Sequence, residues 1–169
     1  QNKIISVTPM KREHIKGIME MLRPHYGRCE AVVSTTRGSL IESKNQEFLD
    51  LLTYGYHNAF RKVEDVLEEQ EEIIKIAACQ RGSIRELGES LFIPSWKDRV
   101  KVCMAGEEWV DFMDKSVDKG VALKFLQETL GIKREETMAF GDGENDFSMI
   151  AAAGVGIAME NGEEKLKDM

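Results

Sequence analysis

Two carboxylates and an amide crowd one glycine-flanked turn in this chain of 169 residues: Phe140-Gly141-Asp142-Gly143-Glu144-Asn145-Asp146. The apolar run Thr137-Met138-Ala139-Phe140 before the turn reads as a buried strand, and 147–153 after it reads as a helix. Asp142, Asn145 and Asp146 therefore stand at a strand's carboxyl end, where open α/β sheets bind their ligands. Clustered carboxylates suit a hard cation such as Mg²⁺, which takes oxygen ligands and often accompanies a phosphate. The glycines permit a tight backbone and close approach to a ligand. Lys119, 23 residues before Asp142, opens another helical stretch and offers a compact point charge.

The elements that must hold these groups follow from the pattern around them. Residues 119–130 read as a helix, with Asp118 as N-cap and Gly131 just past the end. A strand over 137–140, the acidic turn, a helix to 153, Gly154 and a strand over 155–159 complete a helix–strand–helix–strand order. That is the grammar of a parallel doubly wound sheet, whose faces both need cover. Residues before 114 have another character. Ile4-Ile5-Ser6-Val7 suggests a short strand, and Ile15, Ile18, Met19 and Leu22 recur at helical spacing over 11–25. Strands are expected over 31–36 and 39–42, joined at Arg37-Gly38 as a hairpin. Helices are expected over 45–53 and 58–70, then a strand within 72–79. Ser83, with Glu86 three residues on, gives a capping-box pattern for a helix over 83–91. Residues 99–104 and 109–113 read as a second hairpin turned at Gly106. This part reads as an α+β layer with helices on one side of a sheet.

Composition excludes several classes. Net charge is -7 and the isoelectric point near 5.1, against the basic face that nucleic acid or an acidic membrane requires. A small anionic substrate remains compatible, since a local cation and a lysine reverse the field within a cleft. No apolar run approaches the ~20 residues that span a bilayer. Cys29, Cys79 and Cys103 show no disulfide or zinc spacing and favour a reducing cytoplasm. His14, His25 and His57 have no metal-ligand spacing, and the acidic stretch 68–72 reads as solvated. An EF-hand loop starting at Asp142 fails because Ala153 stands where its terminal Glu belongs. Arg81, Arg85, Lys97, Arg99 and Lys101 form a locally basic stretch, read as a solvated face or a lure for an anion.

Val117-Asp118-Lys119-Gly120-Val121-Ala122-Leu123 and the acidic turn together resemble the third and fourth motifs of the haloacid dehalogenase-like phosphatases, Cof-type branch. The match spans 116–159. It implies an α/β fold: the C-terminal part of a Rossmann-like parallel-sheet core, with an inserted α+β cap. The implied division is 1–9 as the end of a core segment, 10–114 as cap and 115–169 as core. The resemblance implies a Mg²⁺-dependent phosphatase for small phosphorylated metabolites, sugar phosphates foremost, with neither nucleic acid nor membrane as partner. Asp142 would hold Mg²⁺ directly and Asp146 would act through a bound water or orient Asp142. Lys119 would pair with a phosphate oxygen and with the nucleophile, Gly120 would allow close approach, and Asn145 would donate to the phosphate or fix the loop.

The family's attacking aspartate belongs to an Asp-x-Asp-Gly-Thr motif, which does not occur in these residues. The proline often found before the lysine motif is also missing at Met113-Asp114-Lys115. The chain thus looks like the later part of such an enzyme and is expected to be inactive alone. A non-catalytic metal- or partner-binding protein, or a phosphomutase-like phosphotransferase, are the alternatives.

Overall fold

The computed structural model describes residues 4–169 and divides the chain into two compact units, the first ending at Lys115 and the second being Ser116–Met169. Residues 1–3, part of the segment expected to end a core, lie outside the described residues. Residues 4–9 form no strand, and Ile4 and Ile5 are exposed.

In the first unit, α1 (Arg12–Leu22) buries Ile15, Ile18, Met19 and Leu22, the face its spacing defines. Pro24 sits in the 3-10 turn Arg23–His25 that closes it. β1 (Glu30–Thr35) and β2 (Gly38–Ile41) form the expected hairpin, in register Val33↔Leu40. β3 (Phe60–Lys62), β4 (Ile73–Cys79), β5 (Lys101–Ala105) and β6 (Trp109–Met113) complete a six-stranded sheet ordered β3-β2-β1-β4-β6-β5. Its pairings are antiparallel except β2 with β3.

One sheet face carries Ala31, Val33, Leu40, Ile76, Ala78, Val110 and Phe112 against α1, Phe92 and Trp96. Strand alternation sends Val32, Ile41, Ala77 and Cys79 to the other face, where Phe48, Leu49 and Leu52 pack on them. These belong to α2 (Gln46–Asp50), capped by Asn45, and to the π-helical turn Leu51–Gly55. Helices therefore cover one face and part of the second, not one side only.

Two expected helices are revised. Over 58–70 the chain forms β3 and then irregular backbone, although Val66 is fully buried. Side chains there satisfy backbone donors that a helix would otherwise pair. Glu42 accepts from Val66 N at 2.8 Å and Asp65 from Leu67 N at 2.7 Å. Arg61 binds Glu69 at 3.1 and 2.8 Å and Glu71 at 2.8 Å, so these two of the acidic run are tied back, while Glu68, Gln70 and Glu72 are exposed as read and no helix ends there. Near 83–91, α3 (Arg85–Leu87) passes through a π-helical turn, Gly88–Phe92, into α4 (Ile93–Trp96). Ser83 Oγ accepts from Arg85 N, but Glu86 turns to Arg28 at 3.1 Å, so no capping box closes.

The second unit runs α5 (Lys119–Leu130), a 3-10 turn at Arg134–Glu136, β7 (Met138–Gly141), α6 (Phe147–Ala152), β8 (Val155–Ala158) and α7 (Glu164–Lys167). β7 and β8 are parallel, in register Phe140↔Ile157. Ala139, Ile150, Ala153 and Leu166 form its core. Met138, Phe140 and Val155 remain 58%, 55% and 46% exposed, so one face of this pair is uncovered among the described residues.

Candidate functional site

β7 delivers the acidic turn. At Gly141 a Cβ would lie 2.4 Å from Asp146 Cβ, so the turn closes this tightly only on glycine. The 3-10 turn Glu144–Asp146 then leads into α6. Folding back this way buries Asp146 to 3% exposure. Its Oδ2 accepts from the backbone N–H of Asp142 at 2.9 Å and of Gly143 at 3.3 Å, and its Oδ1 accepts from Lys119 Nζ. Burial pushes the Asp146 carboxyl up. The Lys119 ammonium and the two backbone N–H groups outweigh this and hold it below the usual aspartate range.

Lys119 is placed from the other side. Asp118 caps α5 by accepting from Val121 N at 2.7 Å. Gly120 is buried on α6: its N donates to Ser148 Oγ at 3.1 Å, and a Cβ there would lie 2.4 Å from Ser148 O. This close helix contact keeps Lys119 beside Asp146 while about half of the lysine side chain stays exposed. Gly120 thus serves helix packing in this structure.

Asp142 and Asn145 stand on the exposed side of the turn. Asp142 Oδ2 accepts from Asn161 Nδ2 at 3.3 Å. Glu163 N donates to Asp142 O at 2.9 Å, and Glu163 Oε1 accepts from Glu144 N at 3.3 Å. Asn161, Glu163 and Ser148 escaped the sequence reading. A signal existed for the first two, because β8 lies parallel to β7 and polar residues just after its end must flank the turn.

The structure thus brings Lys119, Gly120, Asp142, Asn145 and Asp146 onto one scaffold. Among the described residues no three His, Cys, Asp or Glu side chains cluster as a ready-made metal cage. The donor set still fits Mg²⁺, which keeps several waters and uses one or two carboxylates. Asp142 offers an exposed carboxylate. Asp146, its oxygens already bonded to three donors, would reach such an ion through water or through the turn it supports.

The remaining candidates lie elsewhere. His14 and His25 pack edge-on against Trp96 and Phe92. Arg81 pairs with Glu108, Arg85 with Glu89 and Glu107, and Arg99 lies 4.1 Å over the Trp96 ring. Two of the five basic residues, Arg81 and Arg85, are therefore paired with acidic neighbours. All three cysteines are free, and burial pushes the thiols of Cys29 and Cys79 up to about 12. No helix among the described residues is long and apolar enough to cross a membrane.

A family model described as haloacid dehalogenase-like hydrolase matches residues 1–169. A solved structure from Eubacterium rectale superposes with a TM-score of 0.85 at 29% identity, over 98% of this chain and 63% of that one. A phosphoglycolate phosphatase of Archaeoglobus fulgidus is 52% identical over 56 residues, 33% of this chain and 25% of that protein. A chloroplastic endoribonuclease of Arabidopsis thaliana is 32% identical over 110 residues, 61% of this chain but 19% of that protein. The chain spans less than two thirds of the length of each of these relatives.

Proposed function

The chain belongs to the haloacid dehalogenase-like hydrolase family, and from that premise we propose that the protein is a Mg²⁺-dependent phosphatase of small phosphorylated metabolites, sugar phosphates foremost. The observation that carries this is the Lys119–Asp146 pair beneath an exposed Asp142, all at the carboxyl end of β7. A cation and a carboxylate held this way on rigid elements suit a phosphoryl group, whose transfer depends on positioning and charge neutralisation. In this reading Asp142 holds the metal, which when bound would offset negative charge on the phosphoryl oxygens. Lys119 pairs with a phosphate oxygen, Asn145 donates its amide to the same group, and Asp146 fixes both the lysine and the turn. Residues 10–114, within the first unit, serve as the α+β cap that selects the substrate. The attacking carboxylate, which would form an aspartyl-phosphate, is not supplied by any motif of these residues, so the 169-residue chain alone should not turn over. A reducing compartment such as the cytoplasm suits the free thiols.

The test is phosphate release from sugar phosphates, with Mg²⁺ and with a chelator, by a polypeptide that carries these residues together with a segment supplying the attacking aspartate. Asp142→Asn keeps the side chain's size and removes its charge. It should cost at least about 10²–10³-fold in kcat, the scale on which single electrostatic contacts act. Mg²⁺-dependent turnover retained in this variant would falsify the assignment.

A further inference from the structure

The six-stranded sheet has two unlike ends. At one, Met10 N donates to Ile73 O at 2.8 Å and Met113 pairs with Lys75, so the chain enters and leaves the sheet there. At the other, Glu30 opens β1 opposite Cys79, which closes β4. A cavity of about 430 Å³ lies at this second end, with Asn45 and Phe48 at the start of α2 in its wall.

Glu30 is the anomaly in this cavity. It is 5% exposed. Its Oε1 accepts from Gly27 N at 2.9 Å and from Asn45 Nδ2 at 3.2 Å. Its Oε2 is buried and has no hydrogen-bond partner, and the same holds for Oε1 of Gln80, which lines the same cavity. Buried polar atoms are nearly always paired, and a buried carboxylate is costly without a compensating cation. The two arginines of the lining are engaged elsewhere: Arg28 pairs with Glu86 at 3.1 Å and Arg81 with Glu108 at 3.3 Å. With those partners counted, the carboxylates of Glu30, Glu47, Glu86 and Glu108 outnumber the two guanidiniums. The cavity therefore combines two unpaired acceptors with surplus negative charge.

These features select a ligand class. A water takes up about 30 Å³, a small part of this volume. A divalent ion wants a shell of charged oxygens, and among the described residues no three His, Cys, Asp or Glu side chains cluster to supply one. A carboxylate or phosphate would meet Glu30 as a like charge. A primary ammonium has three N–H donors and no acceptor, so it suits both unpaired oxygens and balances the charge. Phe48, Leu51 and Cys79 give the cavity an apolar side on which a hydrocarbon stem can lie. We propose that this cavity binds a small organic cation, a primary ammonium group on a short apolar stem, anchored by Glu30. The site stands on the first unit alone and is independent of the phosphatase reading. Asn45 donates to Glu30 and also caps α2, accepting from Glu47 N at 3.1 Å and Phe48 N at 3.4 Å. A bound cation should therefore steady the start of α2.

The test is an amide NMR titration of the 169-residue protein with n-butylammonium chloride. Gly27, Glu30, Asn45 and Gln80 should shift saturably, and the amides of Glu47 and Phe48 should exchange more slowly with solvent. n-Butanol lacks the charge and tetramethylammonium lacks the N–H donors. Each should bind roughly tenfold more weakly or worse, the scale of one charge-assisted hydrogen bond. Potassium chloride at the same ionic strength should leave these amides in place. Glu30→Gln keeps an acceptor for Gly27 and Asn45 and removes the charge, so it should fold, as circular dichroism checks, and lose n-butylammonium by a similar factor. Gln80→Leu leaves both bonds of Glu30 intact and should weaken binding severalfold, which tests the site without altering Glu30. The proposal fails if n-butylammonium gives no saturable shift, if n-butanol binds as tightly, or if potassium alone reproduces the shifts. It fails equally if folded Glu30→Gln or Gln80→Leu binds n-butylammonium unchanged.

Discussion

Asp142 and Asp146 are four positions apart on one turn and do different things. One is exposed; the other is buried, bonded to Lys119 and to two backbone N–H groups. The spacing of the motif names both residues but not this division, which depends on Gly141 allowing Asp146 to fold beneath the turn. A consequence can be measured by carbon-13 NMR titration of the Asp146 carboxyl. Its midpoint should lie below the ordinary aspartate value of about 3.9. In Lys119→Met it should rise, because burial persists while the strongest opposing bond is lost. The sign for stability follows from a depressed folded-state value. The contribution of Asp146 is complete above the unfolded value and disappears as pH falls through the folded one. The turn should therefore survive mild acid and loosen only below the usual aspartate range. A titration midpoint above that range would contradict the bonding pattern. Asn161 and Glu163 were missed for another reason: their partners lie 19 residues away, and it takes the parallel pairing of β7 with β8, itself expected from the sequence, to bring them together.

At the scale of elements, local chemistry was readable where it was self-contained. Asp118 and Gly131 bound α5 as read, and each hairpin formed between the strands its alternation marked. Reading failed where the deciding contacts were distant. Phe60, Val63, Val66 and Leu67 have helical spacing, yet Glu42 and the β2 edge capture that stretch. Gly120 within α5 and Gly131 just past its end separate tertiary from local constraint. Gly131 has φ +66° and open space around it, so Gly131→Ala should cost about 1 kcal/mol through backbone strain alone. Gly120→Ala would drive a methyl into the backbone of Ser148, and overpacking of this kind costs about 1–3 kcal/mol. Denaturant midpoints should therefore fall further for Gly120→Ala. That variant should also raise the Asp146 midpoint, because the lysine moves with its helix. Equal midpoints for the two variants would mean that α5 and α6 do not pack this closely.

For the whole molecule, the uncovered face of β7 and β8 sets the expectation. Parallel sheets are stable when both faces are covered, and Met138, Phe140 and Val155 are not. The purified 169-residue polypeptide should bind an apolar dye and release no phosphate from sugar phosphates, its intact mass being 19.2 kDa. Turnover by a polypeptide of that mass would mean that the attacking group lies within these residues after all. The sheet of the first unit has a consequence of a different kind. β4 is the one strand that joins the two hairpins, pairing with β1 on one side and β6 on the other. A ribosome adds roughly 5–20 residues each second. During synthesis, β4 can dock on the first hairpin as soon as Cys79 has emerged, but its far edge stays open until Met113 follows. For those few seconds the nascent chain carries an apolar strand edge of the sort that recruits other chains. A chaperone that shields such edges should therefore matter most in the interval between these two residues.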